Sequence, residues 1–101
     1  MNDLAPPALE RATARVRVRG LVQGVGFRPF VHRLATELQL DGVVRNDGEG
    51  VQIDVAGSRA AIDALIERLR RDAPPLARVT QVQEQPQPPA HALARGFAIV
   101  E

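Results

Sequence analysis

The chain has 101 residues, 45% of them apolar and 25% charged, with a formal net charge of +1. That length suits one domain able to bury a core without staples, and so small a net charge argues against nucleic acid or an acidic membrane as the main partner. With no cysteine and two histidines, a disulfide scaffold, a zinc finger and thiol catalysis are excluded, and neither a metal nor a cofactor is expected.

Met1 to Ala14 carries acids and two prolines and no apolar run, unlike a secretory signal. No apolar segment approaches the roughly 20 residues that cross a bilayer, so a soluble, cytoplasmic chain without a membrane partner is expected. Residues 1–13 are weakly patterned and read as a flexible leader, followed by a single domain over residues 14–101. From Thr13, the apolar Val16, Val18 and Leu21 alternate with Arg15, Arg17 and Arg19, which predicts a half-buried strand with an arginine face. RNA-binding sheets stack bases on aromatic side chains. This chain has no Tyr or Trp, and its three Phe residues, at 27, 30 and 97, lie off the strand, so the arginine face is expected to be solvated charge.

The strand runs into Gly20-Leu21-Val22-Gln23-Gly24-Val25-Gly26-Phe27-Arg28. Where a strand turns sharply into a helix, several amide N–H groups point outward together and can receive the oxygens of an anion. Gly24 and Gly26 can take positive φ and let a ligand approach the main chain, and Arg28 adds a guanidinium fork that matches phosphate. An ordinary glycine-rich turn beside a solvated arginine has the same spacing. Nucleotide binding is disfavoured, because no Gly-Lys-Ser/Thr follows and Pro29 stands where a dinucleotide fingerprint needs a third small residue.

Phe27, Phe30, Val31, Leu34, Ala35 and Leu38 then recur at three- and four-residue intervals, predicting an amphipathic helix that tolerates Pro29 in its first turn and stops at Asp41-Gly42. His32, one turn after Arg28, is a candidate base or an ordinary packing residue. Val43 to Asn46 reads as a short strand, Asp47-Gly48-Glu49-Gly50 as a hairpin turn, and Val51, Ile53 and Val55 as the returning strand. Ser58 is placed to cap a second helix, whose buried stripe is Ala61, Ile62, Leu65, Ile66 and Leu69. Arg68, Arg70 and Arg71 suit that helix's C-terminal end, and Asp72-Ala73-Pro74-Pro75 stops it. Val79 to Gln83 predicts a fourth strand, Gln85 to Ala94 a proline-rich connection, and Phe97 to Val100 a short final strand.

The order β-α-β-β-α-β, with a small fifth strand, predicts an α+β ferredoxin-like sandwich: an antiparallel sheet with two helices on one face. Short Val- and Ile-rich strands at its edges are an aggregation hazard. No Ser/His/Asp, Cys/His or paired-acid arrangement is present. Asn46 is the candidate polar group beside the loop, able to orient a water without repelling phosphate, although Asn-Asp-Gly is also good turn chemistry in its own right.

Taken together, Gly20-x-Val22-Gln23-Gly24-Val25-Gly26-Phe27-Arg28, Gly42-Val43-Val44-Arg45-Asn46 and Gly50-Val51 resemble the acylphosphatase family over roughly Arg15 to Val100. That resemblance implies hydrolysis of a carboxylic–phosphoric anhydride, with phosphate held by Gln23, Gly24, Val25, Gly26, Phe27 and Arg28, and with Arg28 and Asn46 catalytic, Asn46 positioning the attacking water. Phe27-Arg28-Pro29-Phe30-Val31, Arg45 to Val51 and Ala73 to Val79 are more closely similar to the N-terminal acylphosphatase-like domain of the HypF family. Those are carbamoyltransferases of nickel–iron hydrogenase maturation that use carbamoyl phosphate and ATP. The implied substrate is a small acyl phosphate such as carbamoyl phosphate, and the implied partners are the remaining domains of such an enzyme. The alternatives are a non-catalytic phosphate-binding or docking module and a free-standing general acylphosphatase.

Overall fold

The computed structural model describes residues 11–85 and 93–100; most of the expected leader and of the proline-rich connection lies outside the described residues. The elements are β1 (Arg11–Leu21), α1 (Phe27–Glu37), β2 (Asp41–Asp47), β3 (Gly50–Ser58), α2 (Arg59–Arg71), β4 (Arg78–Glu84) and β5 (Phe97–Val100). The sheet order is β4-β1-β3-β2-β5. β1 pairs antiparallel with β3 and β4, and β2 with β3. α1 packs over β2 and β5, and α2 over β3 and β4, which is the ferredoxin-like sandwich that the element order predicts. β5 lies parallel to β2, so the sheet is mixed rather than wholly antiparallel.

Period-2 patterning decides which side of each strand is buried. Ala14, Val16 and Val18 of β1, Val44 of β2 and Val51, Ile53 and Val55 of β3 are at most 1% exposed. They meet Phe27, Phe30, Val31, Leu34 and Ala35 of α1 and Ile62, Leu65 and Leu69 of α2 in one core. Ser58 caps α2 as expected, its Oγ accepting the Ala61 N–H at 3.0 Å.

Three details differ from the sequence reading. β1 starts at Arg11, opposite Ser58 of β3, because pairing with β3 supports residues whose own pattern is weak. Further along, the β1–β4 register shifts between Arg19 and Gly20. The resulting bulge turns Leu21 outward at 55% exposure and brings Val22, 1% exposed, into the core. Finally, α1 ends earlier than Asp41-Gly42. Gln39 adopts φ 60° and the Leu40 N–H bonds back to the Ala35 carbonyl at 2.8 Å, so the chain turns there and both residues belong to β2. Gly42, at φ 139°, is required by close strand approach, since a Cβ would overlap the Asp54 carbonyl.

The sheet face opposite the helices carries the β1 arginines, each matched by an acid: Arg11 with Asp41, Arg15 with Asp54, Arg17 with Asp47 and Arg19 with Glu49. The face is therefore charge-compensated across the sheet rather than a bare cationic platform. Among the described residues no helix is long and apolar enough to cross a membrane.

Candidate functional site

Residues 22–26 join β1 to α1. The loop is pinned from beneath by Val22 and Phe27, both 1% exposed, with Val25 packed against the same core, and the Phe27 and Phe30 rings lie 5.5 Å apart. Between these anchors Gln23, Gly24 and Gly26 face solvent. Gly24 and Gly26 have φ 76° and 80°, the left-handed region that only glycine enters without steric cost. Nothing lies within 4 Å of where a Cβ would stand at either position, so the glycines answer a conformational demand and leave the space above the loop open.

Gly26 is the N-cap of α1 and makes no side-chain cap, and the first turn holds no acid. The first bond into the helix runs from the Phe30 N–H to the Gly26 carbonyl at 3.2 Å. The first turn of α1, Phe27 included, therefore holds main-chain N–H groups that the helix itself does not use, at the positive end of its dipole, and Pro29 has none. Arg28, half-buried, stands at the second position of α1.

Asn46 is exposed and next to last in β2. Strand alternation puts it on the same face as buried Val44, the face that α1 covers. Gln23 joins the two parts of the site. Its Nε2 donates to the main-chain carbonyls of Asp47 and Gly50, each at 2.8 Å, tying the loop to the two ends of the hairpin turn that follows Asn46. On the other side of the sheet, Asp47 pairs with Arg17 and accepts the Glu49 N–H at 2.8 Å. A cavity of about 220 Å³ lies between Gly20–Gln23 and Gly48–Gly50.

The loop, through Gln23, and the hairpin turn that follows Asn46 thus meet at one end of the sheet. His32 does not join them: its ring stands edge-on to Phe97 of β5, with centroids 6.1 Å apart. Sequence reasoning missed the side-chain bonds of Gln23, whose partners are 24 and 27 residues away and leave no local pattern.

The acylphosphatase family model matches residues 14–99. The chain belongs to the acylphosphatase family. This acylphosphatase domain is 64% identical over 87 residues to carbamoyltransferase HypF2 of Cupriavidus necator, covering 86% of the chain and 11% of that protein. It is 50% identical over 74 residues to an acylphosphatase of Caldivirga maquilingensis, covering 71% of the chain and 77% of that protein. Among solved structures, full-length HypF in a phosphate- and nucleotide-bound form superposes with a TM-score of 0.77 at 30% identity, over 90% of the chain and 12% of HypF. An acylphosphatase from Coxiella burnetii superposes at 0.79 and 31% identity, over 96% of the chain and all of that protein. The acylphosphatase domain thus spans about a tenth of the carbamoyltransferases it matches and most of the acylphosphatases.

Proposed function

We propose that the domain hydrolyses a small acyl phosphate at phosphorus, with carbamoyl phosphate as its substrate, as the N-terminal part of a carbamoyltransferase acting in nickel–iron hydrogenase maturation. The observation that carries the reading is the uncapped, acid-free entry to α1 through two left-handed glycines, in a chain with 64% identity to a carbamoyltransferase.

In this reading the phosphoryl group sits over the loop. Main-chain N–H groups of Gln23, Gly24, Val25, Gly26, Phe27 and Arg28 and the Arg28 guanidinium take up charge on its non-bridging oxygens. The Asn46 carboxamide holds a water in line with the scissile bond. Water oxygen bonds to phosphorus, the bond from phosphorus to the acyl oxygen breaks, and carbamate or a carboxylate leaves. The water's proton passes to the substrate's own oxygens, so no side-chain base is required. His32, packed on Phe97, takes no part.

The test is phosphate release from carbamoyl phosphate and from an aromatic acyl phosphate by the purified chain, beside Arg28→Ala. Turnover that Arg28→Ala lowers by on the order of 10²-fold or more supports the site, and full activity in a folded Arg28→Ala overturns it. Preference for carbamoyl phosphate supports the carbamoyltransferase role. Equal use of both substrates favours a general acylphosphatase, a reading supported by the full-length match to the Coxiella burnetii enzyme.

A further inference from the structure

We propose that Gln23 is a positioning residue whose side chain sets the placement of Asn46 against the loop, and that this side chain is not itself a phosphate ligand. The inference rests on the reading of the loop and Asn46 given above and adds how the two halves of that site are held in register.

A carboxamide has two N–H donors and one acceptor oxygen. Both donors of Gln23 are spent on main-chain carbonyls, those of Asp47 and Gly50. Because both partners can only accept, the orientation of the amide is decided by them. What remains is Oε1, an acceptor, which offers nothing to an anion. An anion therefore meets Gln23 only through its main-chain N–H.

The two carbonyls bracket the hairpin turn, since Asp47 and Gly50 are opposite each other at the end of the β2–β3 ladder. Asn46 immediately precedes Asp47. The hairpin is also fixed from its other sides. Arg17 holds the Asp47 carboxylate on the open face, and Gly50 lies so close to β1 that a Cβ would overlap the Val18 carbonyl. Gln23 supplies the remaining link, the one from the hairpin to the loop. Without it, the loop stays anchored through Val22 and Phe27, but these bonds no longer tie it to the turn that follows Asn46. A water held by Asn46 must stand in line with phosphorus, and displacement by about 1 Å can cost on the order of 10²-fold in rate.

The experiment compares the full chain with Gln23→Met, Asn46→Ala and the double variant. It measures kcat on an aromatic acyl phosphate, inhibition by inorganic phosphate, and main-chain hydrogen exchange. Gln23→Met keeps side-chain length and removes both donors. The expected result is a kcat lowered about tenfold or more and phosphate inhibition within about twofold of wild type. Exchange should be faster at residues 46–50 and in the loop, and the double variant no slower than Asn46→Ala alone. Weakened phosphate inhibition equal to the loss in kcat would make Gln23 a ligand and overturn the proposal, as would losses that multiply in the double variant. If the wild-type chain turns over no acyl phosphate, the functional reading fails by itself. The link is then judged by exchange, and unchanged exchange in Gln23→Met overturns it.

Discussion

Arg15 and Asp54 face each other across β1 and β3, joined by two hydrogen bonds of 2.7 and 3.2 Å from one guanidinium to one carboxylate. Asp54 is 2% exposed, and its partner's guanidinium is held more firmly protonated than usual by the hydrogen bond to Asp54. Removing Arg15 strands a buried charge. Arg15→Met is expected to cost about 2–3 kcal/mol, below the full range for a deeply buried pair because Arg15 is one-third exposed. Arg15→Met with Asp54→Leu should recover most of that loss. Urea denaturation of the two variants checks it, and equal stabilities would show that the pair carries no strand-specific weight.

Two classes of glycine should respond differently to alanine. Gly42→Ala places a methyl on the Asp54 carbonyl at φ 139° and is expected to lose about 3 kcal/mol or more, or to prevent folding. Gly48→Ala, in open space at the hairpin tip, should stay within about 0.5 kcal/mol of wild type. Thermal denaturation of both variants separates the cases.

Gly24→Ala and Gly26→Ala meet no neighbour but keep the strain of positive φ. Each should cost about 1–2 kcal/mol, a fall in Tm of the order of 5–10 °C, and also weaken inhibition by inorganic phosphate, because the methyl stands over the loop. Lost stability with unchanged inhibition would remove the loop from the anion site.

Acid should weaken the fold through its ion pairs. The Arg11 guanidinium, and then the Gly96 N–H, hold the Asp41 carboxyl below its ordinary range, and Arg59 does the same for Glu84. A carboxyl whose pKa is lower in the folded chain makes the unfolded chain bind more protons in acid. The stabilisation is complete above the ordinary carboxylate range of about 4 and disappears as pH falls through the lowered values. The urea midpoint should therefore hold from pH 7 to about 5 and fall below about 4, less steeply in Arg59→Gln. An identical acid slope in Arg59→Gln would show that Glu84 does not contribute.

The cap of α2 lies apart from the loop. Ser58→Ala, which removes the acceptor for the Ala61 N–H, should lose about 1 kcal/mol with unchanged acyl phosphate turnover. A matching loss of activity would show that α2 supports the site.

The sequence by itself determined the helices, most strand positions and the sandwich, because burial on one face imposes periods of 2 and 3.6 that are visible without any long-range contact. It also marked the loop, since Gly24, Gly26 and Arg28 answer local demands of backbone conformation and charge. Tertiary structure alone decided the bulge at Gly20 that exchanges Leu21 for Val22, the role of Gly42 as a point of close strand approach, and the parallel docking of β5. The acid partner of each β1 arginine and the bonds from Gln23 to the hairpin were decided there as well. Each of these depends on which residues, 12 to 59 positions apart, the sheet brings into contact, and neither local propensity nor local periodicity carries that information.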